Sequence, residues 1–139
     1  MNICLQCGKL PKRRTYKYCS NKCQRRHEYL RFIDKWQAES EKGNNISTST
    51  NISHHIRNFL IEKFNFSCSG CGWNRKHPIT GVVPLEVDHI DGNASNNLES
   101  NLRVLCPNCH SLTPFYKNLN KGKGRKWRMD KYIKNFHPS

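Results

Sequence analysis

No apolar run in this 139-residue sequence is long enough to cross a bilayer, and the N-terminus lacks the apolar core of a secretory signal. A cytoplasmic protein with no membrane partner is expected, and a disulfide framework, which needs an oxidising compartment, loses its support. Apolar residues are scarce as well. At 35% hydrophobic content the chain can bury one modest core with small satellites, so something besides burial must help hold it together. Acidic residues are the third scarcity: ten Asp and Glu stand against 24 Lys and Arg, a net charge of +14 that implies a polyanionic partner.

What replaces a large core is cysteine. The eight thiols fall into two tetrads, Cys4, Cys7, Cys19, Cys23 and Cys68, Cys71, Cys106, Cys109, each made of two closely spaced pairs with none left over. Two structural four-thiolate zinc sites are the natural reading. Residues 1–23 are too few to bury a core, so the metal must supply the folding energy of a zinc ribbon or knuckle there.

Charge is distributed unevenly. Residues 1–42 carry eleven basic and four acidic side chains, and residues 111–139 carry eight and one, so each arm has a net charge of +7. Between them, residues 68–110 carry three basic and four acidic side chains, a net −1. Basic arms around a centre rich in carboxylates fit a nuclease better than a passive binder of nucleic acid. Arg13 and Arg14 in the first loop are candidate phosphate contacts, as are Lys121, Lys123, Arg125 and Lys126 in the tail.

The chain divides accordingly. Residues 1–42 are expected to form the first zinc module plus an amphipathic helix, capped by Ser20, beginning near Asn21 and ended by Gly43. Its apolar positions Tyr29, Phe32, Ile33 and Trp36 follow the spacing of one helical face. Residues 43–52 are polar and aperiodic, as in a linker. The catalytic domain is expected over 53–120, opening with a helix capped by Ser53, and residues 121–139 form a basic tail.

The most informative stretch runs from Leu85 to Ser111. It reads as a strand over 84–88, a polar loop containing Asp91-Gly92-Asn93, a strand over 102–105 and a helix opened by Cys106-Pro107. Metal-assisted phosphodiester cleavage needs a cage for a divalent cation and a base that works near neutral pH, and Asp88, His89, Asn101 and His110 are of the right types. Cys109 and His110 are separated by about 100° of helical rotation, so one can face zinc and the other a second metal. Asp88 and His89 are adjacent, however, and a regular strand would point them to opposite faces. They can share one phosphate only if the strand ends or twists there.

The segment from Cys68 to His110 resembles the HNH endonucleases of the zinc-stapled type. The resemblance rests on two Cys-x-x-Cys pairs, Asp-His-Ile-Asp-Gly-Asn from Asp88, and Asn-Leu-Arg-Val-Leu-Cys-Pro-Asn-Cys-His ending at His110. It implies a small zinc-stabilised α+β fold, a ββα-metal core, here preceded by the extra N-terminal zinc ribbon or knuckle and helix. It also implies cleavage of double-stranded DNA with one catalytic divalent ion, as in phage-encoded or homing-type enzymes. By position, His89 corresponds to the general base, Asp88 and His110 to the metal ligands, and Asn101 to the residue that braces loop and base. Asn97 is the alternative for that last place; Asn101 is preferred because it immediately precedes the second strand. Some members have a further histidine one turn beyond the motif, where this chain has Pro114. Two protein ligands are therefore expected, a set that suits Mg²⁺ and also Mn²⁺, Co²⁺ or Ni²⁺. Arg103 and Lys117 are candidates for charge stabilisation at the DNA, and no small-molecule cofactor is expected. A non-catalytic zinc-dependent DNA binder and an RNA-directed nuclease are the alternatives. Monomer and dimer both remain open, with nicking the simplest outcome for a monomer.

Overall fold

The computed structural model describes residues 2–46 and 51–120. In order these form helix α1 (Asn21–Glu41), helix α2 (His54–Lys63), strand β1 (Glu86–His89), a 3-10 turn (Glu99–Asn101), strand β2 (Leu102–Leu105), a short helix α3 (Pro107–Ser111) and a second 3-10 turn (Lys117–Asn120). The result is a small α+β fold whose thiol clusters, each with all four sulfurs mutually within 4.8 Å, can each hold a metal ion. No described helix is long and apolar enough to cross a membrane.

Residues 2–20 make turns, not strands. Their backbone closes on itself through Cys4 N–H to Lys9 O at 2.8 Å, Gly8 N–H to Cys4 O at 2.9 Å and Leu5 N–H to Lys17 O at 3.1 Å. Gly8 takes φ +73°, a left-handed conformation that strains any residue with a Cβ. Ser20 then caps α1, its Oγ accepting from Cys23 N–H at 3.2 Å, and the chain leaves the helix through Gly43 at φ +75°.

One core unites α1 with the second half of the chain. Ile33 and Trp36 from α1 and Ile56 and Leu60 from α2 pack with Leu85, Leu102 and Val104, while Cys68 and Cys106 bring the second thiol cluster into the same interior. Helix α1 therefore packs on the segment that carries the paired strands and the second thiol cluster and does not form a core of its own. Residues within the expected 43–52 linker are held too: Ile46 and Ile52 pack on the core, and Asn45 donates to Ser95 O. Residues 47–50 lie outside the described residues, as does the whole tail from residue 121 with its candidate cations Lys121, Lys123, Arg125 and Lys126.

Strands β1 and β2 form an antiparallel pair in which Glu86 faces Leu105, Asp88 faces Arg103 and His89 faces Leu102. The first strand starts two residues later than the expected Pro84. Proline has no N–H to give a ladder, and pairing starts only at Glu86. Beyond His89 the chain turns at once, with Gly92 N–H donating to His89 O and Ile90 N–H to Asn101 O, both at 2.9 Å.

Candidate active site

The immediate end of β1 removes the geometric difficulty of the Asp88-His89 pair. Asp88, His89 and His110 line one cleft together with Val87, Gly92, Ala94 and Phe115. Strand β1 supplies the first two, and α3 supplies His110. Cys106 caps that helix, its sulfur accepting from Cys109 N–H at 3.4 Å, and Pro107 sits in the first turn. The helix that carries His110 is thus fastened to the core by two cysteines of the thiol cluster.

Asp88 is buried, and its two oxygens have different neighbours. Oδ2 accepts from Arg103 Nε at 2.7 Å, across the strand pair, and Oδ1 lies 3.7 Å from His110 Nε2. The latter separation is less than twice a metal–oxygen bond of about 2.1 Å, so one divalent ion can touch both atoms. A carboxylate oxygen and an imidazole nitrogen are suitable donors for such an ion. On its other side, His110 Nδ1 contacts Glu86 Oε2, and the ring meets Tyr116 edge-on at 5.1 Å between centroids. A carboxylate on Nδ1 fixes the proton there and turns the Nε2 lone pair toward Asp88.

Two strand residues depart from expectation. Glu86 is a site residue that the motif does not mark. Its signal lies in strand periodicity, since residues two apart on a strand share a face and Glu86 stands two before Asp88. Arg103 is expected at the DNA, and its guanidinium instead neutralises Asp88, holding that carboxylate with Oδ1 toward His110.

The asparagines divide a task expected of one. Asn101 braces the loop: its Oδ1 accepts from Asp91 N–H at 3.0 Å, and its Nδ2 donates to Asp91 Oδ1 and Asn96 O, both at 2.9 Å. The side chain that meets His89 is that of Asn97, whose Oδ1 lies 2.8 Å from His89 Nε2. Burial of Asp91 works against its charge. Hydrogen bonds from Asn96, Asn93 and Asn101, together with the nearby His89, outweigh that and hold the carboxyl below its ordinary range. Its contribution to loop stability is therefore complete above the ordinary carboxylate range and is lost as pH falls through the lowered value.

The two thiol clusters share an electrostatic pattern. Burial raises the Cys68 thiol, yet backbone N–H groups of Cys106, Cys71 and Gly70 aim at its sulfur and bring it down to about 6. Cys4 behaves alike, lowered to about 6 by N–H groups of Cys19, Cys7 and Gln6 against the opposing effect of burial. Sharing hydrogen bonds with Cys71, Cys68 and Cys106 pushes Cys109 up to about 12. Sulfur separations of 3.5 Å for Cys7–Cys19 and 3.8 Å for Cys71–Cys106 match the edge of a tetrahedron with zinc–sulfur bonds of about 2.3 Å.

Among the expected phosphate contacts, Arg13 and Arg14 are exposed in the first loop, with the Arg13 guanidinium 5.7 Å from the Tyr16 ring centroid. Lys117 is exposed close to the cleft, its Nζ 5.0 Å from the ring centroid of the Tyr116 that packs on His110.

Comparison with known proteins finds similarity over this part of the chain. The family model described as HNH endonuclease matches residues 68–113. An H-N-H endonuclease of Escherichia phage T5, F-TflIV, is 46% identical over 59 residues, which cover 40% of this chain and 24% of that protein. The chain therefore spans about a quarter of the length of the curated relative it matches. No solved structure matches the chain. Residues 68–113, which contain the Asp88-His89 turn, the paired strands, the second thiol cluster and His110, are thus the part of the chain that is similar to HNH endonucleases.

Proposed function

We propose that the chain is a divalent-metal-dependent DNA endonuclease in which His89 is the general base and Asp88 and His110 hold the catalytic ion. The observation that carries this reading is the meeting of Asp88, His89 and His110 in one cleft.

The chain's own residues divide the work. Because Asn97 Oδ1 can only accept, His89 Nε2 carries the hydrogen and Nδ1 keeps the lone pair that takes a proton from water. The water oxygen forms a bond to phosphorus as the bond to the 3′ oxygen breaks, leaving a 5′-phosphate, and the departing oxygen acquires a proton from solvent. Asp88 Oδ1 and His110 Nε2 are the ligands for Mg²⁺, with Mn²⁺, Co²⁺ or Ni²⁺ as substitutes. When bound, the cation supplies charge stabilisation to the phosphate and the leaving oxygen. Glu86 orients His110, Arg103 orients Asp88, and Lys117 stands where a phosphate can be met. The two thiol clusters hold structural zinc, and Arg13, Arg14 and the basic tail grip the duplex backbone.

Cleavage of supercoiled plasmid in the presence of Mg²⁺ tests the reading. Nicked or linear product is expected from the unsubstituted chain and is lost with His89→Ala. Binding of DNA without cleavage under any divalent metal would point to a non-catalytic binder, and preferential cutting of labelled RNA would redirect the substrate.

A further inference from the structure

Helix α1 lies outside the segment that matches the HNH family, yet it reaches the base. Trp36 Nε1–H donates to the backbone oxygen of Asn97 at 2.8 Å, and the side chain of the same Asn97 meets His89 Nε2 at 2.8 Å. Both Trp36 and Asn97 are 0% exposed, so neither contact competes with water.

Residues 96–98 have no helical or strand assignment, so no backbone ladder sets their path. The N-terminal half grips every second residue from Ser95 to Glu99. Asn45 donates to Ser95 O, Trp36 donates to Asn97 O, and Glu99 N–H donates to Ser40 Oγ at 3.4 Å while Gln37 Nε2 reaches Glu99 Oε2 at 3.4 Å. We propose that α1 is a positioning element for the general base: the Trp36 indole fixes Asn97, and Asn97 fixes the tautomer and orientation of the His89 ring. This rests on the reading of His89 as the base. Trp36 touches no substrate in this account and acts only through Asn97.

The physical consequence is specific. An amide oxygen accepts but cannot donate, so an Asn97 held by its backbone keeps the hydrogen on Nε2 and the lone pair on Nδ1. Release of that backbone lets the loop shift, and the ring then samples both tautomers.

The test replaces Trp36→Phe, which keeps an aromatic ring and removes the N–H. Six quantities are measured on the full chain: kcat and KM on DNA, Mn²⁺ affinity, zinc content, thermal midpoint and the ¹⁵N imidazole spectrum of His89. The expected result is a fall in kcat of about 10-fold, the scale of a small misplacement of a reacting group, with KM and Mn²⁺ affinity unchanged. The His89 spectrum should move from the Nε2–H tautomer toward a mixture. Asn97→Ala should give the same spectral change, and the double variant should lose little more. Should Trp36→Phe fail to fold, the pair Gln37→Ala and Ser40→Ala, at half-buried positions of the same helix, loosens the same loop and should shift the spectrum in the same direction. A lower thermal midpoint with an unchanged His89 spectrum and unchanged kcat per folded molecule overturns the proposal. If the unsubstituted chain cleaves no DNA, the nuclease reading fails, while the tautomer shift still decides whether α1 positions the ring.

Discussion

The two thiol clusters use the same chemistry in different settings. The first encloses a loop of turns, with Ile3, Leu5 and Leu10 exposed beside it, and of its cysteines only Cys4 is buried. The second is built into the interior, where Cys68 and Cys106 belong to the core and Cys109 packs against it. The donor set is equal, but the consequences of losing it are not. A metal at the first site would stabilise a local module, whereas a metal at the second would fasten α3, and hence His110, to the Cys68–Cys71 turn that hydrogen-bonds to β2. Helix α1 bridges them, since Cys23 sits in its first turn and Trp36 lies in the core nearly four turns later.

That contrast can be broken by substitution. The largest effect is expected from Cys106→Ala, which removes a zinc ligand and the cap of α3 together. Loss of a structural zinc site removes folding energy outright, so cleavage should fall to background and tightly held zinc from about two ions to about one. Metal analysis and plasmid cleavage on the purified chain check this, and retained activity would mean that the second cluster is not what holds His110.

Next in size is Glu86→Gln, which leaves the cluster intact and disturbs only the orientation of His110. Removal of such an outer carboxylate typically costs about 10–100-fold in metal affinity or activity. Titration with Mn²⁺ should show weaker binding, with the thermal midpoint nearly unchanged. An unchanged Mn²⁺ affinity would deny Glu86 its part.

Asn101→Ala sharpens the comparison within the loop between β1 and β2. It strands the Asp91 N–H and one hydrogen bond to the Asp91 carboxylate, a loss of about 1–3 kcal/mol. The variant should unfold earlier, and part of its deficit should vanish as pH falls through the lowered value of Asp91, below which the carboxyl is protonated in both proteins. Thermal scans at several pH values provide the check.

The smallest effect on chemistry belongs to Cys7→Ser. One zinc should be lost and the first loop should loosen, with kcat within about twofold, because Trp36 still ties α1 to Asn97 and the cost falls on phosphate contacts. Affinity for DNA should weaken and its salt dependence should become shallower as Arg13 and Arg14 lose their placement. A kcat that collapsed with this substitution would show that the first cluster governs the site as directly as the second.

Much of this architecture is legible in local sequence patterns. Apolar spacing and capping serines place α1 and α2, cysteine spacing places both thiol clusters, and the grouping of Asp88, His89 and His110 follows from the motif around them. What escapes is set by tertiary contact. The hydrogen bond from Trp36 to Asn97 spans 61 residues, and nothing in the helical pattern distinguishes an indole that merely fills the core from one that also holds the catalytic loop. The choice between Asn97 and Asn101 is equally opaque, because both lie in one polar run and only the turn after His89 decides which reaches the ring. Arg103 reads as a free cation until strand register places it opposite Asp88. The absence of a separate core for residues 1–42 is hidden by the polar stretch over 43–52, which reads as a boundary but joins two helices of one core.

The most direct measurement of the central claim is strand-by-strand cleavage of plasmid DNA with Mg²⁺, comparing the unsubstituted chain with zinc-replete His89→Ala. The account predicts 5′-phosphate ends from the first and no cleavage above background from the second. Cleavage that survives His89→Ala at a comparable rate would contradict it.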